Sequence, residues 1–348
     1  MRKIIELVLS AAMFAGVMSA GAGGVAFAAE DCGSVYLGGV PLGITLNADG
    51  LIVTGVCDVV TEEGSVRPLG ESGIRTGDVV KSVNGERANN LFRFREAVSE
   101  SEDGVVLTLE RDGGVFEVRA VPAKEAASGE RRLGLCLKED VGGIGTLTFV
   151  TESGGYAALG HHVCDPETGL AASLQDGKVF DVEITGVTRG EAGRAGGLCA
   201  EINRLSRPVG VNTENTEIGI YGKWCSDVRG SKVRVAGKGE AHPGRAQVLT
   251  TLQGGAPKLY DVDVVKSEPQ SERAVKGLVI AVRDEELIEK AGGIVQGMSG
   301  SPILQDGKLI GAVTHVFVTD PRRGYGVHAR FMLDEAERAL RETIREAA

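Results

Sequence analysis

Residues 294–315, IVQGMSGSPILQDGKLIGAVTH, enclose a serine between two glycines and continue through a proline into a short apolar run. The Asp-Gly pair at 306–307, with apolar residues on either side, is typical of a β-hairpin turn. We therefore expect a loop that leads directly into two antiparallel strands. Two interpretations follow: the loop is an ordinary turn of a β-protein, or it exposes Ser299 as a nucleophile.

The nucleophile interpretation requires a base, because a serine hydroxyl is a poor nucleophile at neutral pH. The sequence contains five histidines: His161, His162, His242, His315 and His328. His161 lies in GGYAALGHHVCD, where an apolar strand is predicted to meet a turn. Neighbouring strand residues face opposite sides, so His161 is predicted to face Ser299 and His162 to face away. The backbone N–H groups of Gly297 and Ser299 are the predicted oxyanion donors.

The composition indicates a mainly β protein. The chain has 348 residues, of which 42% are hydrophobic, and its 51 glycines are spread along the whole length. So many glycines favour tight turns between short strands, and the length suggests two domains. The formal net charge of −10 at pH 7 argues against a nucleic-acid partner, because such proteins present basic surfaces.

Residues 1–28 are predicted to be a signal peptide or a membrane anchor. A basic start, MRK, precedes an uncharged stretch from Leu7 to Ala28 that ends in Ala-Phe-Ala, which fits a signal peptidase site. The uncharged stretch is also long enough to remain as an anchor. In both cases the rest of the chain is expected to be exported across the membrane.

The cysteines predict neither a metal site nor a cofactor. Six are present, at positions 32, 57, 136, 164, 199 and 225, and none forms a Cys-x-x-Cys motif. An even number in an exported protein is compatible with disulfides, but the sequence does not choose among the pairings. Unpaired buried cysteines are the alternative.

Residues 33–122 resemble a PDZ domain of the bacterial kind. GIRTGDVV is a turn that enters a strand, Asn84-Gly85 is a hairpin turn, and Asn89 or Asn90 can cap the helix that follows. In this resemblance Leu42, Gly43 and Ile44 match the carboxylate-binding loop. Such a domain binds the C-terminus of a peptide as an additional strand, so peptide C-termini are implied partners. The alternative is a small β-domain that only packs on its neighbour.

Residues 123–348 alternate short predicted strands with glycine-rich turns and end in the amphipathic helix FMLDEAERALRETIREA. GMSGSP followed by a hairpin resembles the nucleophile loop of chymotrypsin-type proteases, which implies a β-barrel peptidase domain. KVFDVEI at 178–184 also returns as KLYDVDV at 258–264, which suggests two related β-halves.

The motifs ALGH, GGIVQGMSGSPI and GYGVHARFMLDEA, in this order after a PDZ-like domain, resemble the stage IV sporulation protein B peptidase family. The resemblance implies a serine endopeptidase exported to the intermembrane space of the developing spore. Such a peptidase cleaves itself and a membrane-bound regulator, so that the protease that processes a late sigma factor is activated. Its partners are therefore a membrane-proximal protein substrate and its regulatory subunit.

Two other functions are compatible with the sequence. One is a non-catalytic binding protein in which the PDZ-like domain recruits a peptide and the β-domain is a scaffold. The other is a general envelope quality-control serine protease, although in such enzymes the protease usually precedes the PDZ domain.

The resemblance assigns the catalytic roles to His161, Asp284 and Ser299, with the acid in VRDEELIEKAGGIVQGMSGSP. Asp284 begins an acidic run that could equally be the capped start of a helix. Asp165, Asp181 and Asp261 are alternative acids. Cys164 is a minor alternative nucleophile, because it lacks the glycine-rich setting of an oxyanion hole.

Overall fold

The computed structural model describes residues 32–164, 174–254 and 256–346. The predicted signal peptide or anchor at 1–28 and the alternative acid at 165 lie outside the described residues. The described chain is mainly β with a C-terminal helix, which confirms the predicted fold class. No helix among the described residues is long and apolar enough to cross a membrane.

The chain begins with two strands, leaves them for a module of short elements, and then returns. The two strands are β1 (Ser34–Leu37) and β2 (Pro41–Val56). The module comprises β3 (Val59–Thr61), β4 (Gly64–Val66), β5 (Val79–Val83), β6 (Glu86–Arg87), α1 (Leu91–Glu100), β7 (Val105–Arg111), β8 (Gly114–Ala120), β9 (Ala123–Lys124) and β10 (Arg131–Arg132). Asn90 caps α1, and Phe94 and Val98 of this helix pack with Leu107 in a core that belongs to the module.

The returning chain builds a first barrel. It contributes β11 (Leu135–Thr151), β12 (Gly155–Ala158), β13 (Leu174–Thr188), β14 (Gly197–Ile202), β15 (Gly210–Thr216), β16 (Gly219–Trp224) and β17 (Lys232–Val235). Six antiparallel strands pair in the order β2, β11, β12, β16, β15, β13, and β13 pairs back onto β2. This pairing closes the sheet and removes its free edges. The barrel interior is filled by apolar residues such as Ile44, Tyr156 and Ile220.

A second barrel repeats this pairing. It is formed by β18 (Gly244–Thr250), β19 (Lys258–Ser267), β20 (Leu278–Val282), β21 (Pro302–Gln305), β22 (Lys308–Phe317) and β23 (Asp320–His328), with α2 (Glu285–Ala291) between β20 and β21. Its order β18, β19, β20, β23, β22, β21 closes onto β18. By rank, both barrels pair as first, second, third, sixth, fifth, fourth. Two related β-halves are therefore present, although the two echoed segments occupy different ranks, in β13 and β19.

The C-terminal helix α3 (Ala329–Glu346) follows β23 directly and covers a hydrophobic core to which both barrels contribute, with Phe149 and Tyr221 from the first and Ala312 from the second. Met332, Ala336 and Leu340 of its predicted apolar face are buried, whereas Ile344 is exposed. The helix therefore stabilises the barrel pair through its first three turns.

The structure corrects the boundary predicted near residue 122, because β9 and β10 extend the module to Arg132. It also corrects the predicted carboxylate-binding loop at Leu42, Gly43 and Ile44. These residues lie in β2 inside the first barrel, not in the module. Gly43 pairs with Ile144 on one side and with Phe180 on the other. A backbone held between two strands directs its N–H groups to those strands, so it cannot hold a peptide carboxylate. The loop assignment is therefore wrong.

The chain that returns from the module packs along β2 and against α1. From Ile52 onward, one edge of β2 faces β5 and the other pairs with the first residues of β11. Leu135 and Leu137 pack on the module core, and the Glu139 carboxylate accepts a hydrogen bond from the N–H of Leu91 at the start of α1. Residues 135–139, called the neck segment below, therefore lie beside β2 and against the start of α1, and this position is called the groove of the module below.

Candidate active site

A cleft of about 550 Å³ brings together His161 from the first barrel and Ser299 from the second. His161 follows β12, and Ser299 lies in the loop that precedes β21. His162 lines a neighbouring cavity instead, together with Cys164. Both histidines follow β12 and lie outside any strand, with His161 in a bend, so the alternation of strand residues does not explain which ring faces the cleft.

The nucleophile loop is held by two threonines of β11. Thr146 donates from its hydroxyl to the Gly297 carbonyl at 2.7 Å, and its N–H donates to the Ser299 carbonyl at 2.9 Å. Thr148 donates from its hydroxyl to the Gly300 carbonyl at 2.7 Å. Both threonines are buried, so these bonds are shielded from water. The first barrel therefore fixes the position of a loop that belongs to the second.

Glycine at position 300 is required by this packing. Its φ of +94° lies in the left-handed region, and a Cβ there would come within 2.1 Å of the Thr146 carbonyl oxygen. A side chain at this position would therefore separate the loop from β11.

Two backbone N–H groups of the loop are available to a substrate. The Gln296 carbonyl accepts from Leu198 N–H at 2.8 Å, and the Met298 carbonyl accepts from Ser301 N–H at 2.9 Å. In a trans peptide the N–H points away from its carbonyl, so the N–H groups of Gly297 and Ser299 are directed to the other side. Among the described residues neither N–H has a hydrogen-bond acceptor. They are placed as an oxyanion hole requires.

The Ser299 hydroxyl donates to the Thr314 carbonyl at 2.7 Å in this conformation. Thr314 and His315 lie where β22 has one more residue than β23 between two ladder pairs, which is a β-bulge. The bulge is a local distortion of the ladder at the two residues that face the cleft. Before nucleophilic attack, the Ser299 hydroxyl must therefore break its hydrogen bond to the Thr314 carbonyl and donate to a base instead.

His161 is held in the tautomer that a base needs. Its Nδ1 lies 2.8 Å from the His162 carbonyl oxygen. Because a carbonyl can only accept, Nδ1 carries the hydrogen and Nε2 keeps its lone pair. Burial lowers the pKa of His161 below its ordinary value, and the bond to the carbonyl acts in the opposite direction. The ring is therefore neutral at pH 7.

The His315 ring lies against the His161 ring, with centroids 4.7 Å apart and the ring planes tilted by 36°. Partial burial, followed by the proximity of His161, lowers the pKa of His315 to about 4. A neutral ring beside His161 covers one face of the base without adding a charge. The sequence gives no local indication of this contact, although His315 ends the stretch that defines the loop.

Asn215 fixes the backbone beyond His161. Its side-chain carbonyl accepts from Val163 N–H at 2.8 Å, and its side-chain N–H donates to the Val163 carbonyl at 3.1 Å. Asn215 lies near the end of β15, which pairs with β16 beside β12. The Asn215 amide is distant from His161 in the sequence, and it holds in place the bend that carries His161.

The structure contradicts the assignment of Asp284 as the acid that orients His161. Asp284 is the N-cap of α2: one carboxylate oxygen accepts from Leu287 N–H at 3.0 Å, and the other accepts from Asp261 N–H at 3.3 Å. It does not line the cleft. Asp181 and Asp261 lie outside it as well, and no carboxylate of the described residues lines it. His161 is oriented by a backbone carbonyl instead.

The remaining histidines have separate roles. His242 contacts Asp306 through Nε2 at 3.0 Å, and the pKa of His242 is raised by the Pro243 carbonyl and then by Asp306. His328 contacts the Glu268 carbonyl through Nε2 at 3.0 Å. No cluster of His, Cys, Asp or Glu among the described residues could hold a metal ion.

A family model described as SpoIVB peptidase S55 matches residues 129–333, which is more than half of the chain. No curated protein sequence matches the chain. The inactive form of the Rv3671c protease is 13% identical with a TM-score of 0.33, over 56% of this chain and 84% of that chain. The active form, from M. tuberculosis, is 14% identical with a TM-score of 0.30, over 57% and 74%. TM-scores this low do not establish a shared architecture.

Proposed function

The chain belongs to the SpoIVB peptidase S55 family and is a serine peptidase, and on that premise we propose that it is an exported endopeptidase of sporulation signalling. In this proposal it acts in the intermembrane space of the developing spore, where it cleaves itself and a membrane-bound regulator. The cleavage activates the protease that processes a late sigma factor. The observation that carries the peptidase part is the cleft that His161, Gly297 and Ser299 line together, where the N–H groups of Gly297 and Ser299 have no acceptor among the described residues.

The proposed reaction begins when the Ser299 hydroxyl leaves the Thr314 carbonyl and donates to Nε2 of His161. Ser299 then attacks the peptide carbonyl, and His161 takes the proton. The N–H groups of Gly297 and Ser299 stabilise the resulting oxyanion. The His161 imidazolium gives its proton to the leaving amine, and water hydrolyses the acyl-enzyme. The His162 carbonyl accepts from Nδ1–H throughout, which holds the ring in place.

The cleft favours an apolar substrate residue beside the scissile bond. Its walls include Leu198, Ile294, Val295 and Val316, and no Asp, Glu, Lys or Arg of the described residues lines it. A charged side chain would lose its hydration there without gaining a partner. We expect peptides with leucine or valine next to the cleaved bond to be preferred over those with aspartate or lysine. Comparable rates for both classes in one peptide series would contradict this specificity.

A serine-reactive fluorophosphonate tests the nucleophile. Labelling is expected in the wild type and absent from Ser299→Ala. Ser301 is the matched control, because its buried hydroxyl contacts Thr250 at 2.9 Å and has no role in the reaction. Ser301→Ala should keep the label, and circular dichroism checks that both variants are folded. Labelling that persists in Ser299→Ala would favour another nucleophile, whereas a wild type that takes no label would favour the non-catalytic alternative.

The signalling part requires a separate experiment. The full-length chain is expressed in a spore-forming bacterium that lacks its own S55 peptidase, and late sigma factor processing is followed by immunoblotting. The wild type should restore processing and show self-cleavage, whereas Ser299→Ala should do neither. Proteolysis of peptides in vitro without restored processing would support the quality-control alternative instead.

A further inference from the structure

The module is connected to the first barrel by two paired strand segments, each with a cysteine at the junction. Cys57 directly follows β2, and its N–H donates to the Gly134 carbonyl at 2.7 Å. Cys136 is the second residue of β11 and lies opposite Gly55. The two cysteines are thus diagonal neighbours on one face of the ladder. Within the described residues, the chain enters the module at Cys57 and leaves it at Cys136, so the two cysteines lie at its entry and its exit.

The two thiols are in contact. The Cys136 Sγ lies 4.0 Å from the Cys57 Sγ, and both side chains are exposed. A disulfide needs about 2.05 Å between the sulfurs, so the pair must close by about 2 Å, and exposed side chains on paired strands can rotate to do so. Cys199 and Cys225 differ, because their sulfurs contact the Thr188 hydroxyl and the Lys223 carbonyl, each at 3.7 Å.

We propose that Cys57 and Cys136 form a disulfide that fixes the neck segment in the groove of the module. The reaction is thiol–disulfide exchange with an oxidised protein or small-molecule disulfide. One thiolate attacks that disulfide and releases one thiol; the second cysteine then resolves the mixed disulfide and releases the other. Two protein thiols become one disulfide, and the reagent disulfide becomes two thiols.

The position of the bond gives it a consequence for the groove. Cys136 lies within the neck segment, between Leu135 and Leu137, which pack on the module core. A bond to Cys57 ties this segment covalently to the end of β2, so it cannot leave the groove without reduction. The same strand continues to Thr146 and Thr148, which hold the nucleophile loop. The disulfide would therefore keep the module and the barrel in one fixed register.

The experiment uses the full chain equilibrated in oxidised and reduced glutathione, alkylated, and digested without reduction for mass spectrometry. A peptide pair linked through Cys57 and Cys136 is expected in the oxidised sample, and it should be absent from Cys57→Ser and Cys136→Ser. Cys199→Ser is the control and should retain the linked pair. Alkylation of both thiols under oxidising conditions, or a link from either to another cysteine, would overturn the proposal.

Hydrogen exchange tests the effect on the neck segment. Amides at 135–139 should exchange at least several-fold more slowly in the oxidised protein than in the reduced protein. Cys136→Ser should show the same exchange in both buffers. Equal exchange of the wild type in both buffers would refute the locking role. Neither measurement depends on peptidase activity. An inactive protein that still forms the disulfide would therefore contradict the proposed function and leave the disulfide proposal intact.

Discussion

The substitution Asp284→Asn distinguishes a helix cap from a catalytic acid. In the structure, Asp284 caps α2, and within the described residues its carboxylate accepts hydrogen bonds from the backbone N–H groups of Leu287 and Asp261 alone. Asparagine is also a good N-cap and keeps an acceptor for Leu287. We therefore expect Asp284→Asn to change kcat by no more than about threefold. An acid that orients the base would behave differently, because the corresponding substitution in a serine protease lowers kcat by about 10⁴-fold.

The expected effect is on stability. Asp284→Asn removes the negative charge at the helix N-terminus, worth about 0.3–1 kcal/mol, and the bond to Asp261 N–H, worth about 0.5–1.5 kcal/mol. Because Asp284 is partly exposed to solvent, the total should lie at the lower end of these ranges, about 1 kcal/mol. Asp284→Ala also loses the cap to Leu287, which adds about 1 kcal/mol. The Tm should fall by a few degrees in Asn and about twice as far in Ala.

The assay measures kcat on one peptide substrate and Tm by calorimetry for both variants. Glu285→Gln is the matched control, since it removes a charge from the same helix turn without removing the cap. It should lower the Tm slightly and leave kcat unchanged. A loss of 10³-fold or more in kcat for Asp284→Asn with an unchanged Tm would refute the structural reasoning and restore Asp284 to the catalytic set.

Three further predictions concern the base, the loop and the barrel. Because burial lowers the pKa of His161 below its ordinary value, the acid limb of kcat/KM should have its midpoint below about pH 6.5, as the ring becomes protonated. His162→Ala should leave this limb in place, and a midpoint above pH 7 would contradict the prediction. Thr146→Val removes the buried hydroxyl donor to the Gly297 carbonyl, so urea unfolding should show a loss of about 1–3 kcal/mol in stability. Steady-state kinetics should show a larger change in kcat than in KM. If neither changes, the loop is held independently of β11. Gly43→Glu should prevent folding of the first barrel, because a Cβ at position 43 would lie 2.7 Å from Cγ1 of Ile202. If circular dichroism shows that the variant is folded and it has lost only peptide binding, the carboxylate-loop assignment would be favoured.

Several features follow from the sequence because local chemistry specifies them. Asn84-Gly85, Asp112-Gly113 and Asp306-Gly307 form hairpin turns, and the four-residue spacing of Met332, Ala336 and Leu340 marks one face of a helix. Asp49-Gly50 and Asp176-Gly177 instead lie within β2 and β13, where strand pairing on both sides overrides the turn signal. The glycines around Ser299 likewise identify a loop that allows close backbone approach. These patterns predict a mainly β protein with a C-terminal helix and make Ser299 a candidate nucleophile, and the resemblance to the SpoIVB family turned that candidate into a predicted peptidase.

The tertiary structure decided what depends on residues that are far apart in the chain. Strand alternation along LGITLNADG is the same whether the strand forms a carboxylate loop or crosses a barrel, so only the pairing of Gly43 on both sides shows which is correct. The acidic run at Asp284 is equally compatible with a helix N-cap and with a catalytic acid. The hydrogen bonds from the N–H groups of Leu287 and Asp261 to its carboxylate show that it is the N-cap. The Thr146, Asn215 and His315 contacts join segments separated by more than fifty residues. Such contacts arise from barrel closure, because closing the sheets sets which loops meet at the cleft, and no local pattern encodes that choice.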